Sequence, residues 1–359
     1  MKNELQKITL LGGVMLLTGF GSLAFATGWA SAGQWLLQAS LLWGLVCHCV
    51  WQRLPLNKAD LHAPFYSHLG WGNRLTALRG FLIALTGGFI GLPNDTQGLM
   101  WLPAAFYTAA AILDRFDGWA ARRSLQVSLL GNELDIRFDA LGLVIAPLLA
   151  ISLGVLHGSY LLLSVAFYLY QWGLQYRIKL GLPVHALPPN PLRRTLAGFQ
   201  MGLVAITLWQ GLHPALTQIA GIAFMLPVLF GFIVDWWIVT GRLSVQVLVG
   251  LERFSLVWLQ PGLRLVLVLG LVVLLPYPPF APALNIVLWV LAGLILVGCG
   301  GRVAAGLLIV LLGLQYPITA NSLLVAVLIV TASWIVLLGT GRYSLWHSGD
   351  EWLTRYEGS

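Results

Sequence analysis

Asp114-x-x-Asp117-Gly118-x-x-Ala121-Arg122, followed after eight residues by Gly131-x-x-x-Asp135-x-x-x-Asp139, is the part of this chain best equipped for chemistry. Four of the chain's eight aspartates fall in this stretch, and the sequence around it is too apolar to take up carboxylates without a reason. Eight fixed positions at roughly 5% background frequency each give about one chance match in 10¹⁰ at a given start, so the pattern carries information. On helices, Asp114 and Asp117 (i, i+3) share one face, and Asp135 and Asp139 (i, i+4) share another. Two such helices, face to face, converge four carboxylates on one point. Four like charges near a membrane need cations to coexist. An all-oxygen donor set favours Mg²⁺ or Mn²⁺ over metals that prefer sulfur or imidazole, and four carboxylates have oxygens enough to bridge two ions. Gly118 and Gly131 leave room where a ligand's phosphates come close. Arg122 adds a permanent, forked cation for a phosphate.

The whole pattern, gap included, resembles the signature of the CDP-alcohol phosphotransferases, and every signature position is filled. The resemblance implies two carboxylate-bearing membrane helices that bind two divalent cations and a CDP-linked alcohol such as CDP-diacylglycerol. It further implies transfer of the phospho-alcohol group to an acceptor hydroxyl, with release of CMP, in phospholipid synthesis. On that resemblance Asp114, Asp117 and Asp135 are metal ligands, and Asp139 is ligand to the second metal and general base. Gly118, Ala121, Arg122 and Gly131 shape the cytidine diphosphate pocket. Upstream, Asn73-Arg74-Leu75-Thr76-Ala77-Leu78-Arg79 resembles the Asn-x-Leu-Thr-x-x-Arg entry to the family's first core helix. Asn73, Thr76 and Arg79 then form a stripe facing the nucleotide, while Arg74 reads equally as a basic anchor flanking a span. Downstream, Arg194-x-x-Ala197-x-x-Gln200-Met201 resembles the family's Lys-x-x-Thr-x-x-Gln-Met stretch, with Arg in place of Lys and Ala in place of Thr.

Composition sets the environment. The chain is 58% hydrophobic and 9% charged, with a mean hydropathy of +0.83, which describes an all-α, polytopic membrane protein. Continuous rather than alternating apolar runs favour helices over a barrel. Twelve candidate spans can be drawn: 8–27, 34–50, 75–92, 98–113, 138–153, 159–176, 195–212, 216–241, 263–277, 284–298, 303–317 and 321–340. With the N-terminus inside, alternation puts all 20 Lys and Arg on the cytoplasmic side, so the expectation is a cytoplasmic (inner) membrane protein with both termini and the aspartates facing the cytoplasm. The net charge of +7 then reflects orientation and contact with membrane lipids rather than nucleic acid, and the 16 Trp suit interfacial belts. The first apolar run lacks a convincing cleavage site and is expected to be a retained span.

The expected organisation is two N-terminal spans (1–55), a six-span core opened by a short juxtamembrane helix at Tyr66–Trp71 (56–242), about four C-terminal spans (255–345) and a cytoplasmic tail (346–359). Arg177, Lys179, Arg193 and Arg194 flank a Pro-rich turn in numbers that exceed what orientation needs, so they are candidates to bind an acceptor phosphate, which makes a phosphorylated polyol the expected acceptor. Asp235 reads evenly as a functional carboxylate and as a paired or hydrated one. Cys47-His48-Cys49 does not make a metal site, because adjacent helical residues diverge by about 100°. The Gly300-Gly301-Arg302 and Gly339–Leu345 segments weakly resemble DoxX-like four-helix membrane proteins, and Gly-rich spans equally signal close helix packing. A homodimer is compatible with the sequence. The principal alternative is a cation transporter using the aspartates as an ion site, which predicts broken helices, acids at the bilayer midplane and an inverted repeat. An inactive scaffold would have lost at least one of the aspartates.

Overall fold

The computed structural model describes residues 1–92, 98–188, 191–275, 281–315 and 322–346. Among them the chain is all-α. In order, the helices are α1 (Lys2–Thr27), α2 (Trp29–Arg53), α3 (Trp71–Gly87), α4 (Trp101–Arg123), α5 (Leu129–Ser152), α6 (Leu162–Lys179), α7 (Pro191–Leu208), α8 (Pro214–Val239), α9 (Gln246–Phe254), α10 (Gln260–Leu274), α11 (Pro282–Val297), α12 (Gly301–Gln315) and α13 (Ser322–Leu338). Among the described residues, each expected apolar stretch overlaps one of these helices. Lys2–Thr27, Pro214–Val239 and the continuous run Gln246–Leu274 are long and apolar enough to cross a membrane. That last run begins well before the expected 263, because a π turn at Ser255–Leu259 joins α9 to α10 without a break. The tail from 347 onwards, and the loops around 93–97, 276–280 and 316–321, lie outside the described residues.

The chain forms two compact units. The first comprises residues 1–154 and 201–210. At its centre α3 packs on α4, α5 and α2, while α1 packs on α2. Small residues on α3 permit this. A Cβ at Gly72 would lie 2.7 Å from the Ala121 Cβ of α4, and one at Gly80 would lie 2.8 Å from Val46 of α2 and 3.1 Å from Phe138 of α5. Three helices therefore meet α3 at backbone distance, which ordinary side chains would hold apart. Trp43 and Phe81 add an edge-to-face contact between α2 and α3 at 4.9 Å.

Residues 57–70 correct the sequence expectation, for no juxtamembrane helix forms at 66–71. Trp71 instead begins α3, and the preceding segment is irregular, with an antiparallel bridge between Lys58 and Phe65. Its backbone finds partners elsewhere: Tyr66 N donates to Asn57 O (3.0 Å), and Leu69 N donates to Glu4 Oε2 (2.8 Å). Gly70 turns into α3 at φ +81°, a conformation that side chains disfavour. Glu4 also pairs with Arg74 (3.1 Å) and lies 3.0 Å from His68, so the start of α1 grips the entrance to α3.

The second unit comprises residues 155–200 and 211–359. Within it α8 packs on α6 and α13, and α10 on α11 and α13. Gln200 of the Gln-Met stretch is buried between Tyr160 Oη (2.6 Å) and Phe224 O (2.9 Å). Buried Arg264 donates to carbonyls at the ends of two helices, Ile295 O (2.8 Å) and Leu296 O in the last turn of α11, and Thr340 O (3.1 Å) and Tyr343 O (3.1 Å) beyond α13. The two Gly-rich turns close on each other here, since a Cβ at Gly301 would meet the Thr340 side chain at 2.0 Å. Close packing accounts for both glycine motifs.

Candidate functional site

The site lies in the first unit, where the inner faces of α3, α4 and α5 meet. Ser128 caps the start of α5 by accepting from Gly131 N (3.0 Å), and it is itself 3.2 Å from Asn73 Nδ2. Asn73 also donates to Leu69 O (2.6 Å) and to Asn57 Oδ1 (3.0 Å). These buried bonds fix the angle at which α5 leaves α3. Gly131 is needed for the same joint, because a Cβ there would stand 2.9 Å from Asn73 Oδ1. Asn73, expected to face the nucleotide, is thus engaged by protein partners, and Gly131 makes room for it.

With the helices so held, the four aspartates converge on Arg79. Its Nη1 donates to Asp114 Oδ1 (2.5 Å), Asp135 Oδ1 (2.9 Å) and Asp117 Oδ2 (3.3 Å), and its Nη2 to Asp139 Oδ1 (2.5 Å) and Asp135 O (3.2 Å). Thr76 Oγ1, one turn earlier on α3, donates to Asp117 Oδ2 (3.0 Å), whose Oδ1 accepts from Gly118 N (2.6 Å). Exposure is graded. The Arg79 side chain is 0% exposed and Asp117 10%, against 24% for Asp114, 39% for Asp139 and 48% for Asp135. The basic side chain forms the floor, and the carboxylates lie between it and the opening.

The donor set suits a hard divalent cation. Asp114, Asp135 and Asp139 each offer an oxygen, all within 4.8 Å of one another. Arg79 uses one oxygen of each carboxylate, and a carboxylate has two. One guanidinium against four carboxylates also leaves an excess of negative charge, which low dielectric makes costly without further cations. Asp117, tied to Thr76, Arg79 and Gly118 N, is the least available of the four.

The other expected residues divide. Ala121 sits at the α3–α4 crossing opposite Gly72. Arg122 is exposed at the end of α4 and folds back over Gly118, where a Cβ would be 3.3 Å from its Nη1. In the second unit, Arg193 donates to Asp235 (2.7 Å) and to Pro188 O (2.9 Å), and Arg177 to Pro183 O (2.8 Å). Asp235 is therefore a paired carboxylate. Lys179 is exposed, and the Arg194 side chain lies outside the described residues. Sequence reasoning missed Tyr107, which is fully buried on α4 with no hydrogen-bond partner for its hydroxyl among the described residues. It stands two turns before Asp114 on the same face, and that spacing of seven was a readable signal.

No curated protein and no solved structure significantly matches the chain. Residues 71–233 match the family model CDP-alcohol phosphatidyltransferase. The match opens at the first residue of α3 and takes in Thr76, Arg79 and all four converging aspartates, so the segment that carries the site is similar to this family of transferases.

Proposed function

We propose that the chain transfers the phosphatidyl group of a CDP-alcohol, CDP-diacylglycerol or a close relative, to an acceptor hydroxyl with release of CMP, as a step of phospholipid synthesis. The observation that carries this reading is the convergence of four aspartates from two helices inside the segment matched by the family. Asp114, Asp117, Asp135 and Asp139 would hold two divalent cations, Mg²⁺ or Mn²⁺. When bound, these supply charge neutralisation for the diphosphate and for departing CMP. Gly118, Ala121, Arg122 and Gly131 border the cytidine diphosphate, with the Arg122 fork on a phosphate. Asp139, partly exposed, accepts the acceptor hydroxyl's proton as that oxygen attacks the phosphorus bearing the alcohol. The bond from that phosphorus to the bridging oxygen breaks, and CMP carries the electron pair away. The acceptor is a phosphorylated polyol, a reading supported by the number of cations between 177 and 194 in the sequence.

The distribution of Lys and Arg supports a site that faces the cytoplasm. Residues 56–242 make the catalytic core, flanked by 1–55 and 255–345. The transporter alternative asks for helices broken at the acids, whereas α4 and α5 run unbroken through all four.

The test is CMP release and lipid-product identification with CDP-diacylglycerol, Mn²⁺ and a panel of phosphorylated and neutral polyols. EDTA should abolish turnover, Mg²⁺ or Mn²⁺ should restore it, and Zn²⁺ should substitute poorly. Activity indifferent to chelation would remove the metal reading, and a preference for neutral alcohols would remove the acceptor assignment.

A further inference from the structure

Arg79 does something that neither a nucleotide contact nor a topology signal explains. From the floor of the site it bonds one oxygen of each of the four aspartates, which come from two other helices. Its side chain is fully buried and theirs are not, so a ligand entering from the opening meets carboxylates before it meets the guanidinium. A charge is not withdrawn from water this completely unless its neighbours repay the loss, and here the neighbours are the metal-binding groups themselves.

We propose that Arg79 is a positioning residue, a built-in counter-cation that holds the four carboxylates converged from behind and so sets how tightly the site takes divalent ions. The inference rests on the metal-binding reading above. Two consequences follow from the charges. Without Arg79 the metal-free site holds four carboxylates with no internal cation, so they repel and the helices carrying them loosen. The same change leaves the site one unit more negative, so an arriving dication is attracted more strongly. Arg79 thus stabilises the empty site and weakens metal binding, which keeps the ions exchangeable. After two dications bind, it also leaves a net positive site for a diphosphate.

The experiment compares wild-type, Arg79→Gln and Arg79→Lys, each full-length in nanodiscs. It measures Mn²⁺ binding by electron paramagnetic resonance, CDP-alcohol binding in the presence of saturating Mn²⁺, and thermal stability with and without EDTA. Arg79→Gln should bind Mn²⁺ about tenfold more tightly or better, because a full charge within hydrogen-bonding range of each ligand has been removed. Its melting temperature should fall further in EDTA than the wild-type's. Arg79→Lys, which keeps the charge, should bind Mn²⁺ within about threefold of wild-type. If Arg79→Gln is recovered folded only when Mn²⁺ is present throughout purification, that too supports the role. Unchanged or weaker Mn²⁺ binding in Arg79→Gln, with CDP-alcohol binding lost, would overturn it and make Arg79 a nucleotide contact. If Arg79→Gln is not recovered under any condition, Arg79→Lys decides: a tenfold change in its Mn²⁺ affinity overturns the charge argument. A wild-type protein that binds no Mn²⁺ would instead overturn the metal-binding reading, and this inference with it.

Discussion

Asp139→Asn separates the proton-accepting role of this residue from its structural one. Asp139 Oδ1 takes a 2.5 Å bond from Arg79 Nη2, and the side chain is 39% exposed. Asparagine has the same shape and can turn its amide oxygen to Arg79, so the bond survives without its ionic part. That part is worth about 1 kcal/mol at a buried site and less at this exposure. Removing one of four mutually repelling carboxylates offsets some of the loss. The melting temperature should therefore move little. Turnover should fall by about 10²–10⁴, or ~3–5 kcal/mol of transition-state stabilisation, because an amide cannot take the hydroxyl proton. The assay is CMP release at saturating Mn²⁺, so that weakened metal binding does not contribute, with equilibrium binding of the CDP-alcohol measured in parallel. Turnover within tenfold of wild-type would take Asp139 out of the chemistry. Loss of CDP-alcohol binding in step with turnover would make its role organisational.

Three further outcomes follow from particular contacts. Asp235→Ala leaves Arg193 without its carboxylate in a largely buried setting and should cost about 1–3 kcal/mol, read as a lower melting temperature. Arg193→Ala on the same background should recover part of it, and additive losses would show that the pair is not coupled. Gly80→Leu forces a side chain between Val46 and Phe138, which a Cβ alone would approach to 2.8 and 3.1 Å, and should destabilise by at least about 1–3 kcal/mol and lower turnover, because α5 carries Asp135 and Asp139. Tyr107→Phe removes a buried hydroxyl with no partner among the described residues, so thermal stability should stay level or rise. A fall of several degrees would show that the hydroxyl is bonded in the working protein.

The joint between α3 and α5 shows where sequence reasoning stops. The Asn73–Thr76–Arg79 stripe was correctly read as one face of one helix, because spacing along a helix is a local property. What that face meets is not local. Asn73 finds Asn57 and Ser128, Thr76 finds Asp117, and Arg79 finds four aspartates lying 35 to 60 residues away. The expected helix at 66–71 failed for the same reason. It was expected as the juxtamembrane opening of the core, but Glu4 and Asn57, from outside the segment, supplied partners that favour an irregular backbone.

By itself the sequence determined the all-α membrane class, the positions of the apolar helices, the family resemblance of the segment that carries the site, and the pairing of aspartates on two helix faces. Each of these is written in composition or in spacing within one segment. The tertiary structure decided which cation holds the aspartates, that Gly131 serves Asn73, that Arg193 and Asp235 neutralise each other, and that Tyr107 lies buried two turns before Asp114. Those facts depend on how helices rotate and approach, which small residues such as Gly72 and Gly80 permit. Charge balance in a low-dielectric interior is then met by whichever partners that packing brings within reach.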